Sequence, residues 1–209
     1  MFKRAAYTSV SVFALAKFAK YCNQRASISE SILASTAIRT FATSQHATTD
    51  KQNVADRMKI IKTTRDGNCL FRSISLAIFQ SEDKHSDLRR EAVDWIHNNL
   101  ETEIEQGLPL KYTLVDCLKD EELSDRIQDY LKDLRKEGNW GDFNCVVALS
   151  RSLKPETNFN IALTKQIGLQ TRIESIVEVK SPSSMSERTI WLAYDLPSSH
   201  YDLIILSEK

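Results

Sequence analysis

A chain of 209 residues, 42% hydrophobic and 27% charged, is long enough for one domain with a tail and has the composition of a soluble globular protein. The formal net charge is zero, but residues 1–49 carry six basic side chains against Glu30 alone, a net of +5, leaving 22 basic and 27 acidic residues, a net of −5, in the remainder. A mildly acidic body argues against general nucleic-acid binding, which needs a basic footprint, and suits a basic peptide partner.

Residues 1–49 are rich in Ser, Thr, Ala and basic residues, the composition of a mitochondrial transit peptide. Residues 7–20 make a helix candidate that clusters Val10, Phe13, Leu15 and Phe18, and Arg39-Thr40-Phe41 resembles a matrix-processing site. Two readings compete with import: a secretory signal, whose apolar stretch from Val10 to Ala16 is interrupted by Ser11, and a disordered tail with no address. The corresponding alternatives are a cytoplasmic protein or an effector delivered into a host cell. No run approaches the roughly 20 apolar residues of a spanning helix, so no transmembrane segment is expected.

The polar run from Ser44 to Asp56 reads as a linker, assigned to residues 50–57, and the body is expected over 58–209. Leu70, Phe71, Ile74, Ala77 and Ile78 fall on one helical face, so Cys69 opens a helix that ends near Gln80. A second helix covers Ser86 to Leu100, with Leu88, Ala92, Trp95 and Ile96 inward. A third runs from Leu123 to Lys136 and is broken by Gly138. Asp142 caps a fourth, which runs through Leu153 and stops before Pro155. Strands follow at Phe159–Leu163, Arg172–Val179, Thr189–Tyr194 and Tyr201–Leu206. Helices first and strands later give an α+β fold, a small sheet packed by helices.

Cys22, Cys69, Cys117 and Cys145 show no metal-ligand spacing, and reduced thiols in an intracellular compartment are expected. Cys69 differs from the others in its setting, Asp66-Gly67-Asn68-Cys69. A helix amino terminus favours the thiolate, the attacking form of cysteine. Gly67 permits a sharp turn into the helix, and that turn points the N–H groups of Asn68 and Cys69 at a developing oxyanion. Asp66 either accepts hydrogen bonds that stiffen the loop or sets a polar group beside the oxyanion. The plain alternative is an inert buried cysteine on a helix capped by Asp66 or Asn68.

Of the four histidines, His46 lies in the tail, and His85 and His97 lie beside or on a charged helix. His200 follows the turn Leu196-Pro197-Ser198-Ser199 and opens a strand. Side chains alternate along a strand, so His200 and Asp202 share a face and Tyr201 takes the other. Asp202 is thereby placed to orient the imidazole, as the third member of a triad does.

Asp66-Gly67-Asn68-Cys69-Leu70-Phe71-Arg72-Ser73-Ile74 resembles the nucleophile motif of the ovarian tumour (OTU) family of deubiquitinating cysteine proteases. His85-Ser86-Asp87-Leu88-Arg89 with Val93 resembles the helix that follows it. Trp140-Gly141-Asp142 with Ala148-Leu149-Ser150 is similar to the central Trp-Gly motif, and His200-Tyr201-Asp202 to the histidine motif. The resemblance covers about residues 58–209. It implies a papain-like OTU protease fold with a small mixed sheet. It also implies Cys69 as nucleophile, His200 as general base, Asp202 as orienting residue and Asp66 as support of an oxyanion loop that includes Gly67 and Asn68. The substrate it implies is ubiquitin, polyubiquitin or a ubiquitin-like modifier, with no metal or organic cofactor. A non-catalytic ubiquitin-binding module and a thiol peptidase with another substrate are the alternatives. Many family members carry glutamate where Cys145 stands, so Cys145 is expected to be a small buried hydrophobe. The helical stretch from Leu100 to Lys136, where the family varies, is the expected substrate-contact region.

Overall fold

Ala47–Arg57 form helix α1, which takes in the last three residues of the expected tail at 1–49, and strand β1, Met58–Ile61, follows directly. The computed structural model describes residues 47–105, 108–115, 120–168, 170–182 and 188–207. The helix candidate at 7–20, the Arg39 stretch, Cys22, His46 and Cys117 lie outside the described residues. After β1 come α2 (Cys69–Phe79), α3 (His85–Asn98), the short strands β2 (Glu103–Glu105) and β3 (Leu108–Pro109), and α4 (Lys111–Leu114). Then α5 (Asp120–Arg135) and α6 (Phe143–Ser152) precede β4 (Thr157–Ile167), β5 (Gln170–Val179), β6 (Arg188–Asp195) and β7 (His200–Leu206).

The five-stranded sheet has the order β1-β7-β6-β4-β5; β4 and β6 run parallel and the other neighbours antiparallel. The α+β expectation with a mixed sheet therefore holds. The four expected helices and four expected strands are all present, the strands longer than their apolar runs because edge and hairpin residues pair through backbone alone.

One expectation needs correction. The run read as a linker at 50–57 is part of a helix that packs on the sheet. Val54 is buried with Ala162, Ile173, Ala193 and Ile204, and Met58, Ile60, Trp191 and Leu206 close around them. The small alanines of β4 and β6 leave a shallow apolar floor that one valine and one alanine of α1 fill, so a mostly polar segment still gains from docking. Arg57 ties α1 to the end of β7, donating from Nε to the Ser207 carbonyl at 2.9 Å.

The opposite face of the sheet carries the larger core. Leu70, Phe71 and Ile74 of α2, Leu88, Ala92 and Ile96 of α3, and Val146 and Leu149 of α6 are buried with Phe159, Ile161 and Leu192. In α5, Leu123, Ile127, Leu131 and Leu134 make the buried stripe at helical spacing. Cys145 is fully buried on α6, as a small hydrophobe should be.

Candidate active site

The nucleophile turn is held by its own side chains. Asp66 Oδ1 accepts from the Asn68 N–H at 2.8 Å, and Oδ2 accepts from Asn68 Nδ2 at 3.2 Å and from Arg72 Nη2 at 2.9 Å. Burial opposes ionisation of Asp66, but the hydrogen bonds from Arg72 and Asn68 outweigh it and hold the carboxyl below its ordinary range. Asp66 thus stiffens the loop, the first of the two roles open to it.

Asn68 is the N-cap of α2, yet its side chain makes no capping bond. Its Oδ1 instead accepts from Arg89 Nη2 at 2.6 Å and from the Gly138 N–H at 3.0 Å. Arg89, only 2% exposed, also donates to the carbonyls of Gly67 (3.2 Å), Asn139 (2.6 Å) and Leu134 (2.7 Å), and stacks 4.5 Å from the Phe71 ring centroid. One buried guanidinium therefore joins the nucleophile turn, the end of α5 and the loop after it. Burial pushes it below its ordinary value, but an arginine remains charged there.

Gly67 is required for a different reason than expected. Its φ is not left-handed; a Cβ at this position would fall 1.5 Å from the Gly138 carbonyl oxygen. Close backbone approach, not conformational freedom, excludes a side chain. The left-handed glycine is Gly138 itself, at φ 81°. A Cβ on Gly141 would likewise fall 2.8 Å from Leu70 and Phe71 side-chain carbons, so the Trp140-Gly141 segment seats directly on α2.

The two expected oxyanion donors differ in how firmly they are already engaged. The Asn68 N–H is committed to Asp66 Oδ1, and the Cys69 N–H makes a long 3.3 Å bond to the Asp66 carbonyl. The Gly67 N–H makes no hydrogen bond among the described residues.

Cys69 stands at the first position of α2 and is 7% exposed. Its thiol faces the backbone N–H groups of Tyr201 and Leu70, which favour the thiolate, but burial outweighs them, and Asp66 and Asp202 add to it, pushing the thiol above its ordinary value. Burial at this position therefore opposes the thiolate that a helix start favours. The Ser73 hydroxyl bridges the two halves of the site, 2.9 Å from the Cys69 carbonyl and 3.2 Å from the Tyr201 carbonyl. Thr63 Oγ1 adds a 2.8 Å bond to the same Tyr201 carbonyl.

His200 is the first residue of β7 and is buried. Its Nε2 lies 3.1 Å from Asp202 Oδ1, so the two do share a face, while Tyr201 turns the other way, its ring centroid 4.7 Å from that of Tyr194. With Nε2 taken by the carboxylate, Nδ1 is the nitrogen left to exchange a proton. Ser199, just before His200, has φ 52°, an unfavourable left-handed geometry for serine, and its side chain bonds Tyr194. Asp202 is anchored from β1's end: the Thr63 N–H donates to Oδ1 at 3.0 Å and Lys62 Nζ meets Oδ2 at 2.9 Å.

Cys69, Asp66, Gly67, Asn68, His200 and Asp202 are thus gathered where α2 meets β7. Arg89 and Lys62 were not anticipated as parts of it. His85 is not brought to the thiol; it bonds the Glu82 carbonyl at 2.9 Å at the start of α3. Among the described residues no three His, Cys, Asp or Glu side chains cluster as metal ligands, and no helix is long and apolar enough to cross a membrane.

The profile of the OTU-like cysteine proteases matches residues 64–201, which takes in every one of these residues except Lys62, Thr63 and Asp202. A Tipula iridescent virus protein is 32% identical over 110 residues, 51% of this chain and 12% of that protein. The OVARIAN TUMOR DOMAIN-containing deubiquitinating enzyme 12 of Arabidopsis thaliana is 30% identical over 101 residues, 46% of this chain and 39% of that protein. The chain therefore spans well under half the length of these relatives. The solved structure of the Hazara virus OTU bound to ubiquitin superposes with a TM-score of 0.52 at 17% identity, over 75% of this chain and 86% of that one.

Proposed function

The chain belongs to the OTU-like cysteine protease family, and on that premise we propose that it is a deubiquitinase, cleaving isopeptide bonds at the carboxy terminus of ubiquitin or a ubiquitin-like modifier. Cys69 passes its proton to His200 Nδ1, and the thiolate attacks the terminal carbonyl carbon. As the tetrahedral intermediate collapses, the carbon–nitrogen bond breaks and His200 returns the proton to the departing lysine amine. Water, deprotonated by His200, then opens the thioester, releasing the modifier's carboxylate and restoring the thiol. Asp202 fixes the ring and stabilises the imidazolium; it does not itself take the proton. Every step uses side chains of this chain alone.

The observation that carries this reading is the His200–Asp202 bond of 3.1 Å on a strand whose next amide, that of Tyr201, faces the Cys69 thiol. A relative named as a deubiquitinating enzyme and an OTU structure holding ubiquitin support the choice of substrate class. The test is reaction of the purified chain with a ubiquitin probe bearing a carboxy-terminal electrophile, read by intact mass. One adduct, lost in Cys69→Ala, is expected. Tight binding without an adduct would instead mark a non-catalytic module, and adducts only with other modifiers would change the substrate.

Mitochondrial import through residues 1–49 belongs to the same proposal, supported by their +5 charge and the Arg39-Thr40-Phe41 stretch. A fluorescent protein fused after residue 49 is expected to enter mitochondria and be shortened; an uncleaved, diffuse cytosolic reporter would contradict import.

A further inference from the structure

The Asp202 carboxylate is almost fully buried, yet the cation paired with it is not. Lys62 Nζ sits 2.9 Å from Asp202 Oδ2 while its side chain is 70% exposed, against 3% for the carboxylate. The register explains the meeting: Ile61 pairs with Leu203, so the next residue along, Lys62, comes level with Asp202 at the open end of β1. The two carboxylate oxygens have separate partners. Oδ1 takes His200 Nε2 and the Thr63 N–H; Oδ2 takes Lys62.

We propose that Lys62 is a positioning residue for His200, acting through Asp202: it fixes the second carboxylate oxygen and offsets part of the negative charge that the imidazole meets. This rests on the catalytic reading of the site. Without Lys62, an uncompensated buried carboxylate would bind the imidazolium too firmly, and His200 would surrender its proton to the leaving amine less readily. With Lys62 in place, the pair orients the ring while the carboxylate holds the imidazolium less firmly. Other charged or titratable groups facing His200 come from each element packed there. They are Cys69 at the start of α2, and Asp195 of β6, the cross-strand partner of His200, whose carboxylate is occupied by the Ser198 hydroxyl and amide. Neither contacts Lys62, so its influence passes through Asp202.

The experiment is an NMR titration of the His200 imidazole in the full chain, with Cys69→Ala as background so that the ring titrates without the thiol. Lys62→Met is expected to raise the His200 midpoint by on the order of half a pH unit, and Lys62→Arg to leave it in place. In an Asp202→Asn background, Lys62→Met should move it much less. With Cys69 restored, the falling limb of kcat/KM should rise in pH for Lys62→Met and not for Lys62→Arg. Lys62 is exposed, so these variants should fold, and a matching thermal midpoint checks that. An unchanged His200 midpoint in folded Lys62→Met would overturn the proposal. So would an equal shift in the Asp202→Asn background. The titration uses no substrate, so its result stands apart from whether ubiquitin is cleaved.

Discussion

The two halves of the site are built differently. The nucleophile turn, Thr64 to Arg72, is pinned at many points: Asp66 to Asn68 and Arg72, Asn68 to Arg89 and Gly138, and Gly67 against the Gly138 carbonyl. The histidine half is sparse, with one strand end, one carboxylate, and Thr63 and Lys62 behind it. The dense half places the sulfur but leaves it in a buried setting that disfavours the thiolate. The sparse half supplies the proton acceptor. Position and activation thus come from separate segments, which meet through Ser73 and the Tyr201 backbone.

That division ranks the expected effects. Removing the activating half should cost most in rate and little in stability. Single-turnover cleavage by His200→Ala should fall on the order of 100-fold or more with an unchanged thermal midpoint, and Asp202→Asn should fall less, since the ring keeps a hydrogen-bonding neighbour. Near-normal turnover by folded His200→Ala would erase the contrast. Changes in the positioning half should appear as stability. Gly67→Ala must push two backbones apart, and a loss on the order of 2 kcal/mol is expected in a denaturant titration. A smaller and pH-dependent effect is expected of Asp66→Asn. The folded Asp66 carboxyl lies below its unfolded value near 3.8, so its stabilisation is present above that value and lost as pH falls through the folded one. Parent and Asp66→Asn should therefore differ in thermal midpoint at neutral pH and converge in acid; a constant gap down to acid pH would assign the effect to shape instead of charge.

The contrast also explains what was readable from sequence. Cys69 and His200 stood out because turn chemistry and strand alternation are local, and Asp202 followed from the strand period. The helices at 69–79, 85–98 and 143–152 were marked by apolar faces and, for the last, by the Asp142 cap, whose side chain does accept from the Cys145 N–H. What was missed depends on distant partners. In α1 only Val54 is deeply buried among the described side chains, too faint a stripe to distinguish a helix from a linker. Lys62 acquires its role only from the β1–β7 register. Arg89 did leave a signal: it shares the apolar stripe of Ala92, Val93 and Ile96, the wrong place for a solvated arginine. Gly138 looked like a helix breaker, and nothing local tied its carbonyl to Gly67.

On this division of labour the turn positions Cys69 and the strand activates it. The probe of this is the pH dependence of Cys69 alkylation by a small neutral reagent, in the parent and in His200→Ala, with Cys22→Ala, Cys117→Ala and Cys145→Ala in both to isolate the signal. The parent should react readily at neutral pH along a limb set by the coupled thiol and imidazole. In His200→Ala that limb should vanish, leaving reaction only in alkali, above the ordinary thiol range, because burial then outweighs the Tyr201 and Leu70 N–H groups with no imidazole to take the proton. Superimposable profiles in the two proteins would contradict the account.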